Sequence, residues 1–368
     1  VKISIKYLLV LFTLICLVSC DIGSTALSKK RTLVNPGQLK FLSESSVPAG
    51  VQPNFISASP DGKNVYVTNS TDNTVTQYNR NQSTGQLSLL SESSIPTASA
   101  PYAIKISPDG LNAYVVNLDS FTISEYSRNE NTGQLTAIAT IATNITPAGL
   151  TISPDSTIVY VTCAGEDVID QYSRDESTGL LTPLSTSSVS TGESPRGITI
   201  SPDGLNVYVS NSNTDVGNTV GQYSRNQSTG QLTPLSPYSV SNGLSPQQLT
   251  VSPDGANVYV TYSGSNTVGQ YSRNQSTGQL TPLSLATVAT GNNPFGISVN
   301  PDGLNVYVVN SGDNTISEYS RNQSTGQLTA KSTIATGASP KNIIITNDGN
   351  NAYVTNNSGN TISQYLRQ

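Results

Sequence analysis

The sequence predicts an all-β chain folded as a seven-bladed β-propeller with four antiparallel strands to a blade. Three observations predict it. A turn phrase typified by SPDG recurs on Asp61, Asp109, Asp155, Asp203, Asp254, Asp302 and Asp348, with successive gaps of 48, 46, 48, 51, 48 and 46 residues, and a period of that length marks a repeat architecture. Each recurrence carries four short runs rich in Val, Ile, Tyr and Thr with turn residues between them, which read as strands. The two chain ends are complementary pieces of one blade, so the repeats close into a ring where a solenoid would leave both ends open.

In chain order the first element is an address. Lys2 and Lys6 precede the apolar run YLLVLFTLICL at residues 7–17, too short to span a bilayer comfortably and of the form of a signal-peptide core. Leu17, Val18, Ser19 and Cys20 follow and resemble the bacterial lipobox, in which the cysteine is acylated and becomes the first residue after cleavage. The expected organisation is therefore a lipoprotein signal peptide over 1–19, lipidated Cys20 with a tether over 20–36, and the propeller over 37–368. Acyl chains hold a protein on a membrane without spanning it, each buried CH₂ contributing about 0.8 kcal/mol. The expected location is an exported face of a bacterial membrane, towards the periplasm or the cell surface. Cys163 is then the only thiol left free.

The next element is a strand without its blade. GQLKFLSESSVPAG at residues 37–50 aligns with GQLTPLSLATVATG at 278–291 and so reads as a fourth strand with its exit loop. The chain ends on QYLRQ at 364–368, which matches a third strand. Pairing the first of these beside the last covers an edge that would otherwise be exposed. Between them the units repeat, and in the fourth the runs are GITIS (197–201), NVYVS (206–210), TVGQYSR (219–225) and QLTPLS (231–236). In SPDG the Pro supplies the fixed φ of a type I turn, Asp suits the next position and Gly the last. RNQSTG forms the second hairpin, with Gly230 available for a positive φ. The seven Asp accordingly read as turn-formers. Arg80, Arg128, Arg174, Arg225, Arg273, Arg321 and Arg367 end every third strand and read as a structural or solvated position. At the ends of the second strands Asn69, Asn117, Asn211, Asn310 and Asn356 read as loop starters, with Cys163 and Tyr262 breaking the series.

Composition excludes several chemistries. Charged residues make up 11% of the chain and the formal net charge is −5, which leaves no basic field for a nucleic acid. His, Trp and Met are absent, so a Ser-His-Asp triad, a His-ligated zinc site and a His base are all excluded. Cys163 has no His to activate it. Glu166, Asp167 and Asp170 cluster beyond it and read as solvated loop acids. No metal or cofactor is expected.

The combination of SPDG, YVTN (residues 66–69 and 353–356) and STGQLTPLS (228–236) resembles the lactonase-type seven-bladed propellers, which include 6-phosphogluconolactonase-like and YVTN-repeat surface proteins. The resemblance runs from about Gly37 to the carboxyl terminus. It implies, for an enzymatic member, a substrate at the mouth of the central channel, with His, Arg and Glu as participants. A chain without His cannot inherit that constellation intact.

Function is sought where the copies differ. First strands lie nearest the axis, and the residue after the Pro that opens each of them is Asn54, Tyr102, Ala148, Arg196, Gln247, Phe295 or Lys341. Arg196 is one of two Arg outside the repeated strand-end position, Arg31 being the other, while Lys105 and Lys341 are rare cations in this chain. Tyr102, Lys105, Arg196, Gln247, Phe295 and Lys341 are thus the expected site, suited to an anionic or sugar-like ligand by charge and stacking. The first expectation is a lipid-anchored propeller that binds a partner or small polar ligand there. A lactone hydrolase without His is the alternative, with Arg196 or Lys341 polarising the carbonyl and Glu193 activating water. A structural surface protein is the third.

Overall fold

The turn chemistry builds the hairpins. In the SPDG turn of the fourth repeat, Gly204 N donates to Ser201 O at 2.8 Å, Ser201 Oγ donates to Asp203 Oδ1 at 2.5 Å, and Gly204 takes a φ of 71°, a left-handed value that glycine adopts at little cost. In the computed structural model, which describes residues 36–212, 218–241 and 243–368, these hairpins organise twenty-eight strands into seven four-stranded antiparallel sheets. No helix occurs among the described residues. The expected signal peptide, Cys20 and nearly all of the tether lie outside them.

Ring closure follows the complementary ends. The strand β1 (Leu39–Pro48) pairs antiparallel with β28 (Thr361–Arg367), Leu39 opposite Arg367 and Pro48 opposite Thr361, and completes the sheet made by β26 (Pro340–Ile345) and β27 (Asn351–Asn356). β1 takes up most of the 37–50 that the sequence alignment reads as a fourth strand with its exit loop. A register shift between Phe41 and Ser46 lets pairing resume after a bulge, and the other fourth strands are extended in the same way. Radially, each blade grades from core to solvent. Second strands such as β3 (Asn64–Asn69) are buried at every residue, whereas β1 is mostly exposed.

The repeated Tyr, Arg and Asp make the blade-to-blade contacts. Tyr66 of one blade donates from its hydroxyl to Gly133 O of the next at 2.6 Å, and Arg128 Nε donates to that same hydroxyl at 2.9 Å. The guanidinium also serves Gly110 O in its own blade and Asp61 and Asn64 in the neighbour. The turn Asp and the strand-end Arg are therefore partners. The pairs Arg80–Asp348, Arg128–Asp61, Arg174–Asp109, Arg225–Asp155, Arg273–Asp203, Arg321–Asp254 and Arg367–Asp302 close at 2.6 to 2.9 Å and circle the ring. Partial burial opposes the charge on Asp61, yet hydrogen bonds from Ser59 and Lys63 N and the Arg128 guanidinium together hold its pKa below the usual carboxylate value.

The loop-starter reading of the strand-end Asn is corrected. Asn69 is fully buried and donates from Nδ2 to Thr76 Oγ1 at 2.8 Å on the adjacent strand, and Asn356 bonds Ser363 in the same way. A short amide that can bridge two strands is worth more inside the blade than at a loop.

Candidate functional site

The channel is walled by seven first strands, each opened by a proline: β2 (Pro53–Ala58), β6 (Pro101–Ile106), β10 (Pro147–Ile152), β14 (Pro195–Ile200), β18 (Pro246–Val251), β22 (Pro294–Val299) and β26. The backbone of the residue after the proline is pinned from the preceding blade except at Ala148 and Lys341, where Val116 and Val309 stand in place of the hydroxyl residue. Thr68 donates to Tyr102 O at 2.6 Å, Thr162 to Arg196 O at 2.7 Å and Thr261 to Phe295 O at 2.6 Å, which is the task of the Thr in YVTN. Glycines let the strands approach this closely. A Cβ on Gly149 would lie 2.3 Å from Arg196 O, and one on Gly296 would lie 2.8 Å from Lys341 O.

At the mouth four side chains share one electrostatic neighbourhood. Lys341 Nζ sits 4.6 Å from the centroid of the Phe295 ring, a cation–π distance. Burial and then the charge of Arg196 push the Lys341 pKa down, so a cation of one blade bears electrostatically on a cation of another. Tyr102 feels the same guanidinium: burial raises its phenol to about 12 while Arg196 acts the other way. Phe55 packs on Tyr102 with centroids 5.0 Å apart. Among the described residues, neither Arg196 nor Lys341 has a carboxylate in ion-pair reach. Two cations left unneutralised can hold an anionic group beside half-buried Tyr102, while the Phe295 ring is buried in the core beneath Lys341 and is not free to stack, contrary to the sequence expectation.

The family described as lactonase, seven-bladed β-propeller, matches residues 25–144, 138–244, 197–292 and 284–368. The chain belongs to that family. Several solved structures share the architecture of this lactonase-type propeller. Kuenenia stuttgartiensis hydrazine synthase matches at 20% identity with a TM-score of 0.69, over 89% of this chain and 99% of the other. A proposed 6-phosphogluconolactonase from Bacteroides fragilis matches at 20% identity and 0.68, over 83% and 87%. The periplasmic gluconolactonase of Pseudomonas aeruginosa matches at 18% and 0.66, over 78% and 86%. At these identities the likeness is one of fold. No curated protein matches the chain.

Not every expected residue joins the mouth of the lactonase-type propeller. Gln247 is buried and turned into its own blade, where Nε2 donates to Ser263 Oγ at 3.0 Å and Ser245 O at 3.3 Å. Lys105 is not at the mouth, because it stands three residues beyond Tyr102 on β6 and lines the interior of the channel. Glu193 is exposed in the loop before β14 and makes no ion pair among the described residues. The aromatic partner Phe55 escaped sequence reasoning, since it is the second residue after its proline and not the first.

Blade three departs from the others inside the sheet. Asp170, read from sequence as a solvated loop acid, lies in β12 (Val168–Arg174) and is 3% exposed. Its carboxylate accepts from Asn144 Nδ2 at 2.6 Å, Asn144 N at 2.8 Å and Cys163 Sγ at 3.2 Å. Burial first, and then the Asp170 charge, push the Cys163 thiol far up, so it holds its proton and is unreactive. The pair Cys163–Asp170 occupies the place that Asn69–Thr76 holds in blade one.

Proposed function

We propose that this propeller binds a small anionic, sugar-like ligand at its channel mouth, through Arg196 and Lys341 for charge and Tyr102 for stacking, with buried Phe295 seating the Lys341 ammonium. The observation that supports this reading is the approach of two cations with no carboxylate to neutralise them. Like charges held together cost free energy until an anion arrives, and a bound anion would reverse that cost. Calorimetric titration with 6-phosphogluconate is the test. Arg196→Ala with Lys341→Ala is expected to weaken binding by roughly 1.5 to 3 kcal/mol for each desolvated charge-assisted bond, less where the mouth is open. Affinity unchanged in the double variant removes the site, and no saturable ligand would leave the structural reading.

Family membership favours opening of a lactone ring as a second reading. Arg196 would polarise the carbonyl and Glu193 would activate water, two roles that fit a positioned cation and an ionised carboxylate. Turnover of a lactone panel above the buffer rate, lost in Arg196→Ala and Glu193→Gln without unfolding, would establish catalysis over binding.

The lipid anchor belongs to the same proposal, on the strength of Lys2, Lys6, the apolar run at 7–17 and Leu17–Val18–Ser19–Cys20. A ligand at an exported face would be met outside the cytoplasm. Cys20→Ala is expected to abolish incorporation of labelled palmitate, and equal labelling of variant and wild type would refute the anchor.

A further inference from the structure

Beyond the mouth, the channel interior holds a cation of its own. On β6 the side chains alternate, so that Ile104 enters the core while Lys105 enters a cavity of about 170 Å³ bounded by residues of all seven first strands. Lys105 is the only charged side chain in the described lining. Its ammonium has neither a hydrogen bond nor an ion pair from the described residues. Lys105 is exposed to the solvent of the channel, and the density of protein around that channel lowers its pKa.

The neighbours of Lys105 are hydroxyls, not acids. Lys105 pairs across its blade with Tyr114, and the residues paired with the equivalent Tyr160, Tyr208, Tyr259 and Tyr307 are Thr151, Thr199, Thr250 and Ser298. All four line the same cavity. Only Thr250 spends its hydroxyl on a protein acceptor, Val251 O, at a long 3.5 Å. One unpartnered ammonium thus shares a level of the channel with three hydroxyls free to donate and a fourth weakly held.

We propose that this level of the channel binds a small tetrahedral oxyanion, inorganic phosphate or sulfate, on Lys105 with the threonine and serine hydroxyls completing its shell. An ammonium inside a protein-lined channel with no acid beside it is a standing positive charge that an anion entering the channel would neutralise. A cavity of this size accommodates such an anion with a few waters. Hydroxyls from four further blades approach it from around the axis, which suits oxygens pointing tetrahedrally better than a planar carboxylate. The site uses none of the mouth residues and lies three strand positions away from them, on the order of 10 Å. It therefore stands or falls apart from the proposed function.

Calorimetry and thermal melting of the full-length protein at constant ionic strength, with sodium phosphate and separately sodium sulfate as the probe, test it. One saturable site per chain and a rise in Tm with the anion are expected. Lys105→Met, near in volume and neutral, is expected to weaken binding by about tenfold or more and to lose the anion-dependent rise in Tm. Without anion it is expected to melt close to the wild type, since Lys105 makes no hydrogen bond or ion pair with the described residues, and that melting shows the variant to be folded. Lys63→Met, which removes an exposed cation from the SPDG face, is expected to bind as the wild type does. Absence of saturable binding in the wild type, or wild-type affinity in Lys105→Met, overturns the proposal. Loss of binding in Arg196→Ala with Lys341→Ala but not in Lys105→Met would place the anion at the mouth and overturn it equally.

Discussion

Arg128 carries the logic of the ring in one side chain. Its guanidinium is 1% exposed and reaches Tyr66 OH, Gly110 O, Asn64 Oδ1 and both oxygens of Asp61. Only a planar fork of donors satisfies acceptors spread over that arc, so Arg128→Lys is not a conservative change here. Asp61→Asn leaves the buried cation without its counter-ion, and a loss of about 1 to 3 kcal/mol is expected in chemical denaturation. The carboxylate's partial exposure places the figure towards the lower end. A loss below a few tenths of a kcal/mol would mean that the seam pairs are idle. Sequence reading found the Asp and Arg series of this network and not their pairing. Asp61 and Arg128 stand 67 residues apart, and because both recur in every unit, periodicity alone does not say which copy meets which. The depth of Lys105 was hidden for a related reason. The pairing of β6 with its neighbour shifts register between Pro101 and Ile104, so the side-chain sequence alone does not separate a residue at the mouth from one inside the channel.

At the scale of the element, β1 does two jobs. Besides pairing with β28, it donates Leu39 N to Glu318 Oε1 at 2.8 Å in the neighbouring blade, and Gly37 O accepts from Tyr307 OH at 2.5 Å. Removing residues 37–43 therefore opens a blade edge and a seam together. A loss of several kcal/mol, or association through the bared β28, is the expected outcome in denaturation and light scattering. A deletion that unfolds like the wild type would show that β1 is dispensable to the ring. Strand identity and this closure were legible because hairpin turns and alternation are local signals. Substitutions inside a blade show the same dependence on neighbours. Where Tyr262 replaces the usual Asn, Gly269 stands opposite, and a Cβ there would lie 2.4 Å from the Tyr262 ring. Asn–Thr, Cys–Asp and Tyr–Gly are three fillings of one space, invisible until the two strands are set side by side.

For the whole molecule the seven seam carboxylates set the response to acid. Each has a pKa below its ordinary value, partial burial opposing the shift and hydrogen bonds and the arginine producing it. Groups shifted in this direction contribute stability above the unfolded carboxylate value near 3.8 and lose it as pH falls through their folded values. Buried Glu125 works the other way, since burial raises its pKa despite the hydrogen bond from Leu181 N. Seven groups outweigh one. Stability measured by denaturation is expected to hold from neutral pH down to about 4 and then to fall steeply, and an acid limb no steeper than a single proton would contradict a cooperative ring.

Closure by β1 also fixes how the molecule answers a pull. Gly37 N donates to Gln368 O and Gln368 N to Gln38 O, so the start of β1 and the end of β28 leave the sheet side by side. Tension between those two points loads the ladder from Leu39–Arg367 towards Pro48–Thr361, one rung after another, as a zipper is opened. Antiparallel strands drawn apart from a shared end resist far less than strands sheared along their length, because the hydrogen bonds break singly. If residue 37 is tied to a surface, a load applied at residue 368 peels β1 first, together with its seam bonds to Glu318 and Tyr307 of the neighbouring blade.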